Sequence, residues 1–276
     1  MTKQVLQIDV EKVLREKSPA MAKKIPRFAI SLLKKIIHQE DINLFLRKCG
    51  HLQGVDFATG MIDYWEVTLN VEGLDNLPKD TNFIFASNHP LGGLDGVALT
   101  SIVGKAFDHK VRFVVNDILM TVRNFDPVFV PVNKHGAQSK GSAEVINEVY
   151  NSDLQVLYFP AGLVSRWQKG KIEDLEWKKA FIAKSIQYQR DVVPVYFGGK
   201  NTRFFYGFAF LRKLLRITIN LEMLLLPHEL FKQHGKTFTV RFGKPIPWQT
   251  FDKSRSTRAW ADFVKKATYA LNNIKK

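Results

Sequence analysis

Along this chain the apolar positions follow two periods, and the change from one to the other divides it. From the start to about Pro78 the pattern is mainly helical. Ile25, Phe28, Ala29, Leu32, Leu33, Ile36 and Ile37 recur at helical spacing and define one apolar face. Arg27, Lys34 and Lys35 fall mostly elsewhere on that helix, Lys23 and Lys24 precede it, and Pro26 suits its first turn. Two readings of such a basic amphipathic helix are open: it lies in a membrane interface, or it packs on its own domain.

From 79 to about 250 the pattern changes. Short apolar runs predict strands over Phe83–Ala86, Val111–Val115, Val128–Val132, Leu154–Phe159, Val192–Phe197 and Phe238–Phe242. Between them, Leu94–Phe107, Ala143–Tyr150 and Trp177–Gln187 read as helices. From Ser254 a closing helix carries Trp260, Phe263, Val264 and Ala267 on one side. Strands alternating with helices predict a layered α/β domain over 79–276, closed by this C-terminal helix and preceded by an N-terminal helical region over 1–78.

One stretch fits neither period cleanly. Between Phe204 and Leu226, Phe204, Phe205, Tyr206, Phe208, Phe210, Leu211, Leu214 and Leu215 are interspersed with Arg203, Arg212, Lys213 and Arg216. Aromatics mixed with cations suit the boundary between lipid headgroups and acyl chains. The other reading is a buried helix or strand pair, which would bury the cations at a cost.

Charge narrows the classes of partner. Lys plus Arg number 41 against 26 Asp plus Glu, a formal net charge of +15. Such a surface attracts nucleic acid, anionic lipid or an acidic carrier protein, and composition does not choose among them. A hydrophobic fraction of 45% and a charged fraction of 24% argue for a folded chain rather than a disordered one. The single cysteine, Cys49, allows no intrachain disulfide. No CxxC or HxxxH spacing suggests a structural metal. The first residues lack a signal-peptide core, and no apolar run reaches the roughly 18–20 residues of a membrane span.

The segment richest in chemistry is Ser87-Asn88-His89-Pro90-Leu91-Gly92-Gly93-Leu94-Asp95-Gly96. It lies between a predicted strand and a predicted helix, where sites in α/β sheets gather. His89 is the natural proton acceptor near neutral pH. Asp95 lies six positions on, across a glycine-containing turn, from where it could orient the imidazole. Gly92 and Gly93 leave backbone N–H groups for a developing oxyanion. For a lone His and Asp, a structural turn would be the simpler reading; the ten-residue string as a whole favours catalysis.

That string resembles the first signature block of the glycerolipid and lysophospholipid acyltransferases, in which Asn-His precedes a downstream Asp. Phe159-Pro160-Ala161-Gly162-Leu163-Val164-Ser165-Arg166 is similar to the family's Phe-Pro-Glu-Gly block, and Val193-Pro194-Val195 to its Val-Pro block. The three blocks stand in the family's order. The departures are as informative. Five residues separate His89 from Asp95 where the family usually has four. Ala161 replaces the Glu, and Arg166 comes late in its block. Where the family carries an Arg read as gripping an acceptor phosphate, Val132 stands, with Lys134 two residues on. Losing a bidentate phosphate grip is not conservative.

These variations resemble the bacterial hemolysin-like branch, which includes the O-acyltransferases that finish ornithine and glycine lipids. The resemblance implies O-acylation of a lyso-amino-acid lipid, an N-acyl amino acid bearing a 3-hydroxy fatty chain. Acylation of 1-acylglycerol-3-phosphate in phospholipid synthesis is the alternative. The resemblance also implies direct transfer from acyl-ACP or acyl-CoA, with no bound cofactor or metal. The resemblance implies His89 as the general base, with Asp95 orienting it and N–H groups near Gly92 or Gly162 holding the oxyanion. Asn88, Gly92, Gly93, Lys134, Phe159, Pro160, Gly162, Ser165 and Arg166 are expected around the substrates. Arg166, Lys134 and Lys140 are candidates for an acceptor carboxylate or a carrier phosphate, though each also reads as a solvated surface cation. The expected partners are a lipid acceptor, the thioester and an anionic membrane surface, without nucleic acid. The expected location is the cytoplasmic face of the inner membrane, peripherally bound. A hydrolase using Ser87 or Ser165 is disfavoured because neither lies in a Gly-x-Ser-x-Gly elbow. A non-enzymatic basic binder would leave the Asn-His string unexplained.

Overall fold

The structure is a computed structural model that describes residues 7–17, 19, 25–116, 120, 122–132, 140–168, 170–217 and 220–273. Its centre is a seven-stranded sheet. In chain order the strands are β1 (Thr68–Glu72), β2 (Phe83–Ser87), β3 (Val111–Asn116), β4 (Phe129–Val132), β5 (Gln155–Tyr158), β8 (Asp191–Phe197) and β9 (Thr237–Phe242). Strands β6 (Arg166–Gln168) and β7 (Lys171–Glu173) form a separate antiparallel hairpin. Across the sheet the order is β1-β9-β8-β2-β5-β3-β4. The pairs from β8 to β4 are parallel, and only β8 against β9 is antiparallel.

The helices are α1 (Val10–Lys17), α2 (Arg27–Ile36), α3 (Gln39–Cys49), α4 (Gly54–Tyr64), α5 (Leu94–Ala106), α6 (Lys140–Tyr150), α7 (Ala180–Tyr188), α8 (Arg203–Leu214), α9 (Leu226–Phe231) and α10 (Thr257–Ala270). Strand periodicity explains the layers. Successive side chains of β2 point to opposite faces: Phe83 and Phe85 enter one core with residues of α4 and α5, while Ile84 and Ala86 enter another with residues of α6, α7 and α10. Every residue of β2 is buried, as a parallel strand covered on both faces requires. This is the layered α/β class that the periodicity predicts.

Two local readings change. Thr68–Glu72, inside the stretch read as helical, is a strand pairing in parallel with β9 from Thr68↔Thr237 to Glu72↔Arg241. In α2 the buried residue is Ile30, whereas Phe28 is 75% and Leu32 55% exposed. The apolar face is thus shared between protein and solvent.

Pro194 lies within β8, where a proline would interrupt a ladder. The partner changes there: β9 pairs from Val195 onward, Ile246 bridges to Val192, and Gly243 N–H donates to the Pro194 carbonyl between them. The ring therefore occupies a gap in the antiparallel pairing. Helices α4 and α5 approach closely because Gly104 has no side chain; a methyl there would overlap Val55. Gly104→Val is expected to lower unfolding free energy by about 1–3 kcal/mol, measured by urea denaturation; unchanged stability would mean the two helices have room to spare.

Candidate active site

The site is built at the C-terminal end of β2. Asn88, the residue after the strand, is 3% exposed and bonds reciprocally to β8: its Nδ2 donates to the Phe197 carbonyl at 2.9 Å, and Phe197 N–H donates to its Oδ1 at 2.7 Å. Asn88 therefore locks two parallel strand ends together and presents the next residue, His89. The His89 ring stacks on Phe159, with centroids 4.0 Å apart and planes at 21°. Phe159 in turn meets Phe113 edge to face.

His89 Nδ1 lies 3.0 Å from Oδ2 of Asp95, whose side chain is fully buried. Asp95 lies in the first turn of α5, and its carboxylate collects the turn around itself. Leu91 N–H donates to Oδ2 at 2.8 Å, Gly92 N–H at 3.3 Å, and Gly96 N–H to Oδ1 at 3.0 Å. Burial pushes the Asp95 carboxyl upward. The charge of His89, the bond to it and the Leu91 and Gly92 donors outweigh that and hold it below the usual carboxylate range. A helix N-terminus adds a further favourable field. The extra residue between His89 and Asp95, relative to the family spacing, is thus accommodated inside the turn.

Gly92 has φ +84°, a conformation that favours glycine. A Cβ at this position would lie 2.5 Å from Val164 and 2.8 Å from Leu226, so an apolar wall closes over the turn. Gly93 N–H makes no hydrogen bond among the described residues. The N–H of Gly162, offered for that role by the sequence, instead donates to the Phe159 carbonyl and closes a turn. The carbonyl of Pro160 accepts from Lys178 N–H.

Arg166 is placed differently from a free substrate ligand. Its guanidinium donates to the Val164 carbonyl at 2.7 Å and to Glu222 at 2.9 Å, and it lies over the Phe205 ring. Glu222 is fully buried and also meets Arg212 Nε at 2.7 Å. Arg166 therefore ties the β6–β7 hairpin to the segment before α9. Lys134 lies outside the described residues, and Lys140 is the first residue of α6.

Ser165 and Ser87 are both buried. Ser165 Oγ bonds to the His89 carbonyl and to Asp174, and Ser87 Oγ to the Asn88 carbonyl. Neither is set against the imidazole as a nucleophile would be. Asp174, Trp177, Glu222 and Leu226 were not signalled by the sequence, because long-range contacts bring them here. No group of three or more potential metal ligands occurs among the described residues.

The site so built is a histidine on a buried aspartate, beside an aromatic and aliphatic wall at the end of a parallel sheet. The chain matches the acyltransferase family over residues 12–276, and it belongs to that family. It is 52% identical over 264 residues to a lyso-glycine lipid O-acyltransferase of Bacteroides thetaiotaomicron, covering 96% of this chain and 97% of that protein. It is 47% identical over 264 residues to a lyso-glycine lipid O-acyltransferase of Phocaeicola vulgatus, covering 96% of this chain and 95% of that protein. Among solved structures, the 1-acyl-sn-glycerophosphate acyltransferase PlsC of Thermotoga maritima aligns with a TM-score of 0.46 at 18% identity, over 94% of this chain and 85% of that one.

Asp95→Asn is expected to lower kcat by roughly 10²–10⁴-fold, since an amide no longer selects the tautomer. The stability contributed by ionised Asp95 should be complete above the usual carboxylate range. It should disappear as pH falls through the depressed native value. The gap in unfolding free energy between wild type and Asp95→Asn should therefore shrink on acidification below that range, and a gap that widens would contradict the account.

Proposed function

We propose that this chain transfers a fatty acyl group from an acyl thioester to the hydroxyl of a lyso-amino-acid lipid, lyso-glycine lipid being the favoured acceptor. The observation that carries the reading is the His89–Asp95 contact, in a chain that two lyso-glycine lipid O-acyltransferases match almost end to end. His89 Nε2 takes the proton of the acceptor hydroxyl as that oxygen attacks the thioester carbonyl. The tetrahedral oxyanion forms near Gly93. Collapse breaks the C–S bond, and the proton on His89 passes to the leaving thiolate of coenzyme A or acyl carrier protein. Asp95 stabilises the imidazolium between the two transfers. No covalent acyl-enzyme is needed.

Membrane contact belongs to the same proposal. No helix among the described residues is long and apolar enough to cross a membrane. On α8 and just after it, Phe204, Phe210, Leu214 and Leu215 are each more than 60% exposed, on a segment that also carries Arg203, Lys213 and Arg216. Exposed aromatics among cations suit an anionic bilayer surface, on the cytoplasmic face of the inner membrane.

Two measurements test this. Expression of wild type and His89→Ala, with whole-cell lipids read by mass spectrometry, should show an O-acylated glycine lipid with wild type alone. New phosphatidic acid instead would reassign the acceptor to 1-acylglycerol-3-phosphate. In sedimentation with phosphatidylglycerol-containing vesicles, the triple variant Phe204→Ser, Phe210→Ser, Leu214→Ser should bind at least about tenfold more weakly, since each side chain entering hydrocarbon contributes up to about 1.5–3 kcal/mol. Equal binding would remove α8 as the contact.

A further inference from the structure

His89 lies where the backbone has no regular partners. Strand β2 ends at Ser87 and α5 begins at Leu94, so the main chain of His89 belongs to neither ladder nor helix. Its polar groups must be satisfied otherwise. They are held from the β6–β7 hairpin. His89 N–H donates to Asp174 Oδ1 at 3.1 Å, and the His89 carbonyl accepts from Ser165 N–H at 2.8 Å, with Ser165 Oγ 3.2 Å from the same carbonyl.

Asp174 is fully buried, and among the described residues its carboxylate has no cationic side chain as hydrogen-bond partner. Three donors converge on it instead: His89 N–H and Ser165 Oγ (2.6 Å) on Oδ1, and Trp177 Nε1 (2.9 Å) on Oδ2. The same residue is anchored through its backbone. Its N–H donates to the Tyr269 hydroxyl at 2.8 Å, and its carbonyl accepts from Lys265 Nζ at 2.7 Å and Gln168 Nε2 at 2.9 Å. Lys265 and Tyr269 belong to α10, so the closing helix is connected through one residue to the histidine. Burial pushes the Asp174 carboxyl above the usual range, against the pull of Ser165, Trp177 and His89. A carboxylate kept in so costly a place, touching the main chain of His89, calls for a role.

We propose that Asp174 is a positioning residue for acyl transfer, which with Ser165 clamps both main-chain polar groups of His89 so that the imidazole meets the acceptor hydroxyl in register. The inference rests on the reading of His89 as general base. Asp95 and Phe159 fix the ring; Asp174 and Ser165 fix the backbone from which the ring projects. Asparagine at 174 cannot serve all three donors. With its carbonyl toward His89 and Ser165, its amide opposes Trp177 Nε1–H; turned over, it opposes His89 N–H.

The test is steady-state kinetics of the full-length protein, using whichever of lyso-glycine lipid and lysophosphatidic acid the wild type acylates from a long-chain acyl thioester. Asp174→Asn should lower kcat by about 10²-fold, the scale of an ångström-size misplacement, with KM for both substrates within about twofold. Asp174→Asn combined with Trp177→Phe removes the opposed donor and should recover most of the lost kcat. Ser165→Ala, a milder change for the fold, should lower kcat with KM unchanged. Wild-type kcat in both Asp174→Asn and Ser165→Ala would overturn the proposal. So would a loss that the double variant deepens, or one that appears in KM rather than kcat. His89→Ala in the same assay separates the two readings: if it is inactive while Asp174→Asn is not, only the clamp is wrong, whereas full activity in His89→Ala sinks the base assignment itself.

Discussion

A single buried carboxylate organises the centre of this protein. Asp95 is inaccessible to solvent, yet it gathers a ring nitrogen and three backbone N–H groups within hydrogen-bonding distance. An ionised group in such a place is tolerable only when its lone pairs are satisfied. The turn from Leu91 to Gly96 is shaped to do that. The left-handed Gly92 lets the chain curl around the carboxylate, and α5 begins where the curl ends. Remove the charge, and the turn, the helix start and the imidazole lose their common reference.

Around that reference the architecture divides its work. The parallel strands bring residues distant in sequence to one sheet edge: Asn88 joins the ends of β2 and β8, and Phe159 follows β5 to lie against His89. The β6–β7 hairpin covers the other side through Ser165 and Asp174. Glu222, held by Arg166 and Arg212, secures the segment that carries Leu226 toward Gly92. Polar bonds therefore set the geometry, and apolar side chains supply a wall suited to a fatty chain. Exposed apolar side chains on α2 and α8 lie outside this arrangement.

Much of the fold could be read from the chain because its central strands are buried on both faces. The runs at Phe83–Ser87, Gln155–Tyr158 and Asp191–Phe197 are nearly continuous in apolar residues, and such runs bounded by polar turns are distinctive. β1 was not legible. Thr68–Glu72 is partly exposed, short of apolar residues and dependent on β9, which lies far along the chain. The three-residue strands of the hairpin are too brief for any period to register. In the site, His89 and Asp95 were legible because they share one local string. Asp174 was not: in Lys171-Ile172-Glu173-Asp174 it looks like part of a solvated charge run, and only tertiary structure turns it inward. Arg166 shows the converse, a cation whose sequence position suggested a ligand and whose partner, Glu222, lies more than fifty residues away.

In the proposed mechanism Asp95 holds the proton on Nδ1 of His89 and leaves Nε2 bare to act as base. The most direct measurement is nitrogen-15 NMR of the imidazole in protein labelled at histidine, with the His89 signals assigned by His89→Gln. In the neutral ring the account predicts a protonated Nδ1 and an unprotonated Nε2. A neutral ring carrying its proton on Nε2 would contradict it.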